Sequence, residues 1–205
     1  MKDQIIEKTA NLFKVYGIRS NTMDDVAREA GISKKTLYQY INDKEDLIQL
    51  VIDYEYKRTE ALIGDIKKQS INPIDSLIQL NFMIIEFMKE INPASINDLK
   101  KHFKLKYLSS SEKFQNLFFH FIDQNFNDGK QSGIYRNDIN NKLIAQLHSE
   151  RIQQITESKK IWDVQHSTPE IIKDMTAYYI RGLVTEEGEI LLNKHMNEFD
   201  KYLNK

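Results

Sequence analysis

The sequence predicts an all-α protein: a small amino-terminal helix-turn-helix domain, residues 1–46, followed by a larger helical domain, residues 47–205. Three observations predict it. Capped apolar stripes at helical spacing open the chain, and Asn-Pro pairs and glycines cut the remainder into helix-length segments. With seven Gly and three Pro, no turn dipeptide flanked by alternating apolar residues marks a hairpin.

The first helix runs from Met1 to Tyr16, with Ile6, Ala10 and Phe13 inward and Gly17 stopping it. Thr22 is a hydroxyl N-cap, and Asp25 three positions on reaches back as its capping-box partner. The helix that starts at Met23 carries Met23, Val26, Ala27 and Ala30 as one apolar stripe, and Gly31 supplies a left-handed residue just past its end. Ser33 caps the next helix, with Ile32 and Leu37 as a hydrophobic staple. Two helices joined by a short turn containing Gly make a helix-turn-helix. Asp43 caps a fourth helix that runs unbroken toward Lys68, with Leu47, Val51, Tyr54, Arg58 and Ala61 on one side. Without a flexible linker, such a rod can carry a shift from its far end to the head.

Punctuation sets the remaining helices. Asn72-Pro73 begins one that ends near Ile91, Asn92-Pro93 begins another that ends near Leu108, and Ser110 or Ser111 caps one that closes at Gly129. Proline is well tolerated in a first helical turn. A loop containing Gly133, Ile134, Tyr135 and Arg136 precedes helices over Asp138 to Ser158 and Thr168 to Val184. Thr185 caps a last helix ending near Leu203.

The second helix of a helix-turn-helix enters the major groove, and its first residues meet base edges and phosphates. Here those residues are Lys34, Lys35, Thr36 and Tyr38. Cations in a first turn face the positive end of the helix dipole, an unfavourable placement by roughly 0.3–1 kcal/mol each. A phosphate or a guanine edge offsets that cost, since each good base contact discriminates by about 1–3 kcal/mol. Two lysines on an exposed turn can also be merely solubilising; the capped context favours DNA. Thr22 and Lys44 stand at helix starts, where a hydroxyl, a cation and free N–H groups would hold phosphates and position the protein. Asp24, Asp25, Glu45 and Asp46 lie in first turns, where carboxylates complement the dipole. Met1 to Asp46 carries eight basic and eight acidic residues, so the positive footprint is local to the second helix.

These residues resemble the tetracycline-repressor (TetR/AcrR) family. The shared signals are F-x-x-x-G over Phe13 to Gly17, T-x-x-x-[IV]-A over Thr22 to Ala27, G-[IV]-S-x-x-T-[LI]-Y-x-Y over Gly31 to Tyr40, and K-E-x-L over Lys44 to Leu47. Lys35 departs from the small residue common in the family, and Ile41 from its usual Phe. The first adds a candidate DNA contact; the second exchanges apolar anchors. The resemblance implies a homodimeric transcriptional repressor, less often an activator, that binds a palindromic operator in double-stranded DNA. Thr22, Lys34, Lys35, Thr36, Tyr38, Tyr40 and Lys44 align with positions that commonly touch DNA, with Gln39 as an additional candidate. Half-sites would lie about 34 Å apart or a multiple of that. The Gly133 to Arg136 loop resembles the G-x-x-[RK] corner that often precedes the family's two dimer-forming helices.

On the same resemblance the larger domain binds ligand and dimerises. Its rings include Phe82, Phe87, Phe103, Tyr107, Phe114, Phe118, Phe121, Trp162, Tyr178 and Tyr179. Rings at helical spacing are most often plain core. The candidates for a largely apolar small-molecule effector pocket are Phe82, Phe87, Phe103, Tyr107, Phe118, Phe121 and Tyr178. Arg181-Gly182 inside an apolar helix suggests close approach of another helix at a dimer interface.

Other chemistry finds no support in the residues. His102, His120, His148, His166 and His195 are scattered, with no H-x-x-x-H or H-E-x-x-H pairing for a metal, and they read as surface or core residues. There is no Gly-rich phosphate loop, no G-x-S-x-G elbow and no cysteine, so the expectation is no catalytic residues, no metal and no cofactor. Glu186-Glu187 sits at a helix start, where capping is the simpler account than acid-base work. No charged segment followed by an apolar core opens the chain, and no apolar run approaches the roughly 18 residues of a membrane span. A cytoplasmic protein without a membrane partner is expected. A constitutive helix-turn-helix protein without an effector, and an all-helical lipid carrier or enzyme that borrowed the head, are the competing readings.

Overall fold

A computed structural model describes residues 1–157 and 168–203. Among them the chain forms ten helices: α1 Lys2–Tyr16, α2 Met23–Ala30, α3 Lys34–Leu37, α4 Lys44–Gln69, α5 Pro73–Glu90, α6 Pro93–His102, α7 Lys104–Gln131, α8 Asn141–Glu157, α9 Thr168–Arg181 and α10 Glu186–Leu203. Extended pairing among the described residues is confined to an isolated antiparallel bridge of Tyr135 with Val184. Trp162 and His166 lie outside the described residues.

The chain divides into two compact units, Met1–Ala61 with Glu90–Phe114, and Leu62–Lys89 with Gln115–Lys205. The first is larger than the segment 1–46 read as the head. Its core gathers Ile5, Ile6, Ala10 and Phe13 of α1, Val26 and Ala27 of α2, Leu37 of α3, Ile41, and Leu47, Ile48, Val51 and Ile52 of α4. Leu99 and Phe103, from the second segment, pack against it. Of the stripe expected on α4, Leu47 and Val51 are buried and Tyr54 is half-buried, whereas Arg58 and Ala61 are exposed.

Between α1 and α6 the hydrogen bonding is reciprocal. The end of α1 leaves carbonyls without helical partners. Ser95 Oγ donates to the Phe13 carbonyl at 2.6 Å, the Asn92 backbone N–H to that of Lys14 at 2.7 Å, and the Asn92 amide to that of Val15 at 2.9 Å. In return Asp98 Oδ2 accepts from the backbone N–H of Ile18 at 3.1 Å and of Arg19 at 2.8 Å. Lys14 pairs with Glu55 of α4 at 3.0 Å.

The second unit is built around Ile74, Leu77, Ile78, Leu80, Ile84, Ile85 and Met88 of α5. Ile63 and Ile66 of α4, Phe121, Ile122 and Phe126 of α7, Ala145 and Ile152 of α8, and Ala177 and Ile180 of α9 join them. Tyr135 is buried, edge-on to Phe126, and its hydroxyl donates to Asn125, whose amide donates in turn to the Pro73 carbonyl at 2.8 Å.

Five expected boundaries need correction. Rather than ending near Leu108, α6 stops at His102, because Phe103 takes φ −131° and ψ 45°. The next helix starts at Lys104, so Ser110 and Ser111 lie inside α7 and cap nothing, Ser110 bonding back to the Tyr107 carbonyl. Gly129 also lies inside α7, which continues to Gln131; a side chain there would overlap the Tyr135 ring, and the left-handed turn falls instead at Gly133, φ 76°. The helix expected from Asp138 starts at Asn141, since Asp138 is paired with Arg136 at 2.6 Å. Finally, α9 ends at Arg181, so Gly182 sits in a turn, where Leu183 accepts from the Arg136 backbone N–H at 2.9 Å.

Candidate nucleic-acid interface

The reading head is held by local caps. Thr22 Oγ1 accepts from the Asp25 backbone N–H while Asp25 accepts from the Thr22 backbone N–H at 2.8 Å, a complete capping box. Those bonds, with Arg28 alongside, hold the Asp25 carboxyl below its ordinary range. At the other end of α2, Gly31 at φ 71° and ψ 30° adopts the left-handed geometry that ends a helix without a Cβ clash. Ser33 Oγ then accepts from Thr36 N–H at 3.0 Å and opens α3.

The α3 helix is shorter than the run of DNA-contact candidates, which extends from Lys34 to Tyr40. It covers Lys34–Leu37, and Tyr38, Gln39 and Tyr40 follow in a turn whose tighter bonds join Gln39 N–H to Thr36 and Tyr40 N–H to Leu37. Leu37 and Ile41 are pulled into the core, at 0% and 1% exposure, and that anchoring turns the intervening residues outward. Lys34, Lys35, Tyr38, Gln39 and Tyr40 are all exposed on one short stretch, while Thr36 is half-buried.

Two lysines have resident partners. Lys34 Nζ pairs with Asp24 Oδ2 at 3.0 Å, and that carboxylate raises the ammonium pKa. Lys44, the phosphate-clamp candidate, donates from Nζ to the Asn21 carbonyl at 2.5 Å and to the Arg19 carbonyl at 3.5 Å. Partial burial lowers its pKa. Its ammonium ties the α1–α2 loop to the start of α4 and thereby positions Thr22. None of these partners was visible in the sequence, because all depend on how the helices cross.

The seven aromatic pocket candidates do not form one set. Phe82, Phe118 and Phe121 belong to the core of the second unit, Phe121 fully and the others at its margin. Phe103 packs on the core of the first unit, and Tyr107, stacked under Lys100 at 5.4 Å, lies in the same unit. Phe87 is 36% exposed and Tyr178 85% exposed, so Tyr178 as placed faces solvent and lines no interior cavity of this chain. A concavity of about 350 Å³ lies between α9 and α10, lined mainly by polar residues including Lys173, Asp174, Arg181 and Asn193. None of the seven rings lines it.

Comparison with known proteins accords with the head's geometry. Residues 5–51 match the family described as bacterial regulatory proteins, tetR family. Over 91% of its length the chain is 26% identical to the uncharacterized HTH-type transcriptional regulator YvaF of Bacillus subtilis (strain 168), covering 97% of that protein. It is 29% identical, over 44% of its length and 48% of the relative's, to IcaR of Staphylococcus aureus (strain Newman), a negative transcriptional regulator of the biofilm operon icaADBC. Among solved structures, CprB from Streptomyces coelicolor, in complex with its operator sequence, superposes at a TM-score of 0.67. That match has 17% identity and covers 97% of this chain and 96% of CprB. The capped head and the matched model agree: residues 5–51 are a helix-turn-helix domain of the bacterial regulatory proteins, tetR family, and along almost its whole length the chain is similar to an HTH-type transcriptional regulator and shares its fold with CprB.

Proposed function

We propose that the chain is a homodimeric, ligand-responsive repressor. Its head, residues 1–46, binds a palindromic operator, and its body, residues 47–205, dimerises and takes up a small molecule that releases the DNA. The observation that carries the DNA contacts is the outward row of Lys34, Lys35, Tyr38, Gln39 and Tyr40 between two buried anchors, Leu37 and Ile41. Lys34 and Lys35 reach phosphates or guanine edges, and the tyrosines and Thr36 add hydroxyl donors. Thr22 contributes from the start of α2. Lys44 acts chiefly by holding the loop before Thr22 through the Asn21 and Arg19 carbonyls, which leaves one N–H to meet a phosphate.

A dimer is supported by apolar side chains left outward on two helices, Leu143 at 55% and Leu147 at 50% exposure on α8 and Tyr178 on α9. A Cβ at Gly182 would come no nearer than 3.5 Å to the Tyr179 carbonyl, so among the described residues no helix of the chain fills the space that its lack of a side chain leaves. Light scattering at the mass of one chain would refute dimerisation. Repression draws support from the relative that is a negative regulator, and the operator from the solved complex. Release requires an effector that prefers the non-binding state; a shift from mostly bound to mostly free takes about 10⁴-fold preference.

The test is a gel shift on a duplex recovered by selection from random sequences. Lys34→Ala combined with Tyr38→Ala is expected to abolish the specific complex while circular dichroism shows unchanged helicity. Specific binding that survives the pair would overturn the contact assignment.

A further inference from the structure

In the second unit, α8 and α9 enclose three side chains that no DNA contact uses. His148 of α8 is fully buried, its ring 4.2 Å from that of Tyr179. Arg151, one turn further along α8, places its guanidinium 5.1 Å from the Tyr179 ring centre and donates from Nη2 to His148 Nε2 at 3.1 Å. The Tyr179 hydroxyl donates to the Ile144 carbonyl at 2.8 Å.

Because Nε2 of His148 accepts that bond, its ring proton is on Nδ1. Burial and the neighbouring guanidinium keep the imidazole neutral by driving its pKa well below the usual histidine range. Three donors then remain buried and unmatched: His148 Nδ1–H, Arg151 Nε–H and an Arg151 Nη1–H. No carboxylate pairs with Arg151 among the described residues. An uncompensated buried charge is strongly destabilising, and buried cations are ordinarily paired. What the cluster lacks is an acceptor, and it lacks no donor. The group that is acceptor only, and negative, is a carboxylate.

We propose that His148 and Arg151 form an anion site in the body, and that the ligand is a monocarboxylate. The inference rests on the ligand-responsive reading above and names the effector's chemical class. Arg151 supplies the counter-charge, His148 Nδ1–H a further donor, and Tyr179 holds the guanidinium against its ring. Ala145, Ile152, Ala177 and Ile180, buried on the same two helices, give the remainder of the ligand an apolar surrounding. The expected effector is therefore amphipathic, with one charged end.

Full-length protein titrated calorimetrically with octanoate and, separately, octanamide separates charge from shape. Acetate and hexanoate, with their amides, cover shorter ligands. At least one carboxylate is expected to bind about tenfold or more tightly than its amide, as a charge-assisted hydrogen bond implies. Arg151→Met should erase that preference while leaving the ligand-free melting temperature equal or higher, since an apolar side chain of similar length replaces an unpaired charge. Equal affinity for acid and amide, or no binding along the series, overturns the proposal and leaves the cluster as hydrated structure. A large fall in melting temperature in Arg151→Met overturns it too, because the guanidinium would then be satisfied within the fold. So does a shift to single-chain mass, which would assign the counter-charge to a second copy. If a carboxylate binds through Arg151 but leaves the operator complex intact, the site stands and release by ligand fails. If a neutral compound releases DNA and no carboxylate binds, the reverse holds.

Discussion

Lys34 sits in a contest between two anions. Without DNA its ammonium rests on Asp24, an exposed pair of the kind that contributes little to stability. On the proposed contact DNA must displace that carboxylate, which would also stand close to the phosphates that Lys34 approaches. Asp24→Asn removes both the competition and the repulsion. It should tighten operator binding several-fold at low salt, with the gain shrinking as salt rises, in a fluorescence-anisotropy titration. The same change removes a carboxylate from the first turn of α2, so the melting temperature should fall by the equivalent of about 0.3–1 kcal/mol. At this scale the sequence was legible wherever a contact is local. The Thr22–Asp25 box, the Gly31 turn and the Ser33 cap were all readable because each bond spans only a few positions. The Lys44 ammonium was not, since its acceptor, the Asn21 carbonyl, is brought near only by the crossing of α4 over the loop.

Helix α6 is the element whose role the sequence concealed. Its start was marked by Asn92-Pro93, and the side chain of Asn92 does cap it, accepting from Ala94 N–H at 2.9 Å. Its purpose was not marked, because Asp98 and the amides it accepts from lie about eighty positions apart. Nor was its end, where Phe103 leaves helical geometry as it packs on the first core. Asp98→Ala strips an acceptor from two backbone N–H groups at the turn leading to Thr22. Exposing or orphaning them should cost about 1–3 kcal/mol of stability in urea unfolding. Operator affinity should weaken alike for every sequence, because phosphate positioning is disturbed and base reading is not. A change in sequence preference would contradict that division.

For the whole molecule, acid is the revealing perturbation. His148 is neutral and buried in the folded chain against Arg151 and Tyr179, with its pKa far below the ordinary 6.5. The unfolded chain takes up a proton below about pH 6.5 and the folded chain does not, so folding loses stability as pH falls from there and gains nothing above it. His148→Gln keeps an acceptor for Arg151 but cannot titrate. Between pH 6.5 and 5 the wild type should lose up to about 1.4 kcal/mol per pH unit relative to that variant in parallel denaturant titrations. Parallel curves would place the imidazole in contact with water. The all-helical class and most helix starts were legible, since periodicity and caps are written in neighbouring residues. The division into units was not, because it depends on residues 90–114 returning to the first core. That return limits how such a regulator can be recombined. A chimaera that takes only residues 1–69 and grafts them onto a foreign body carries the turn proposed to read DNA but omits Asn92, Ser95 and Asp98. The Phe13, Lys14 and Val15 carbonyls and the Ile18 and Arg19 amides are then left to solvent. Exchange of specificity between relatives has to move two separate stretches of gene together.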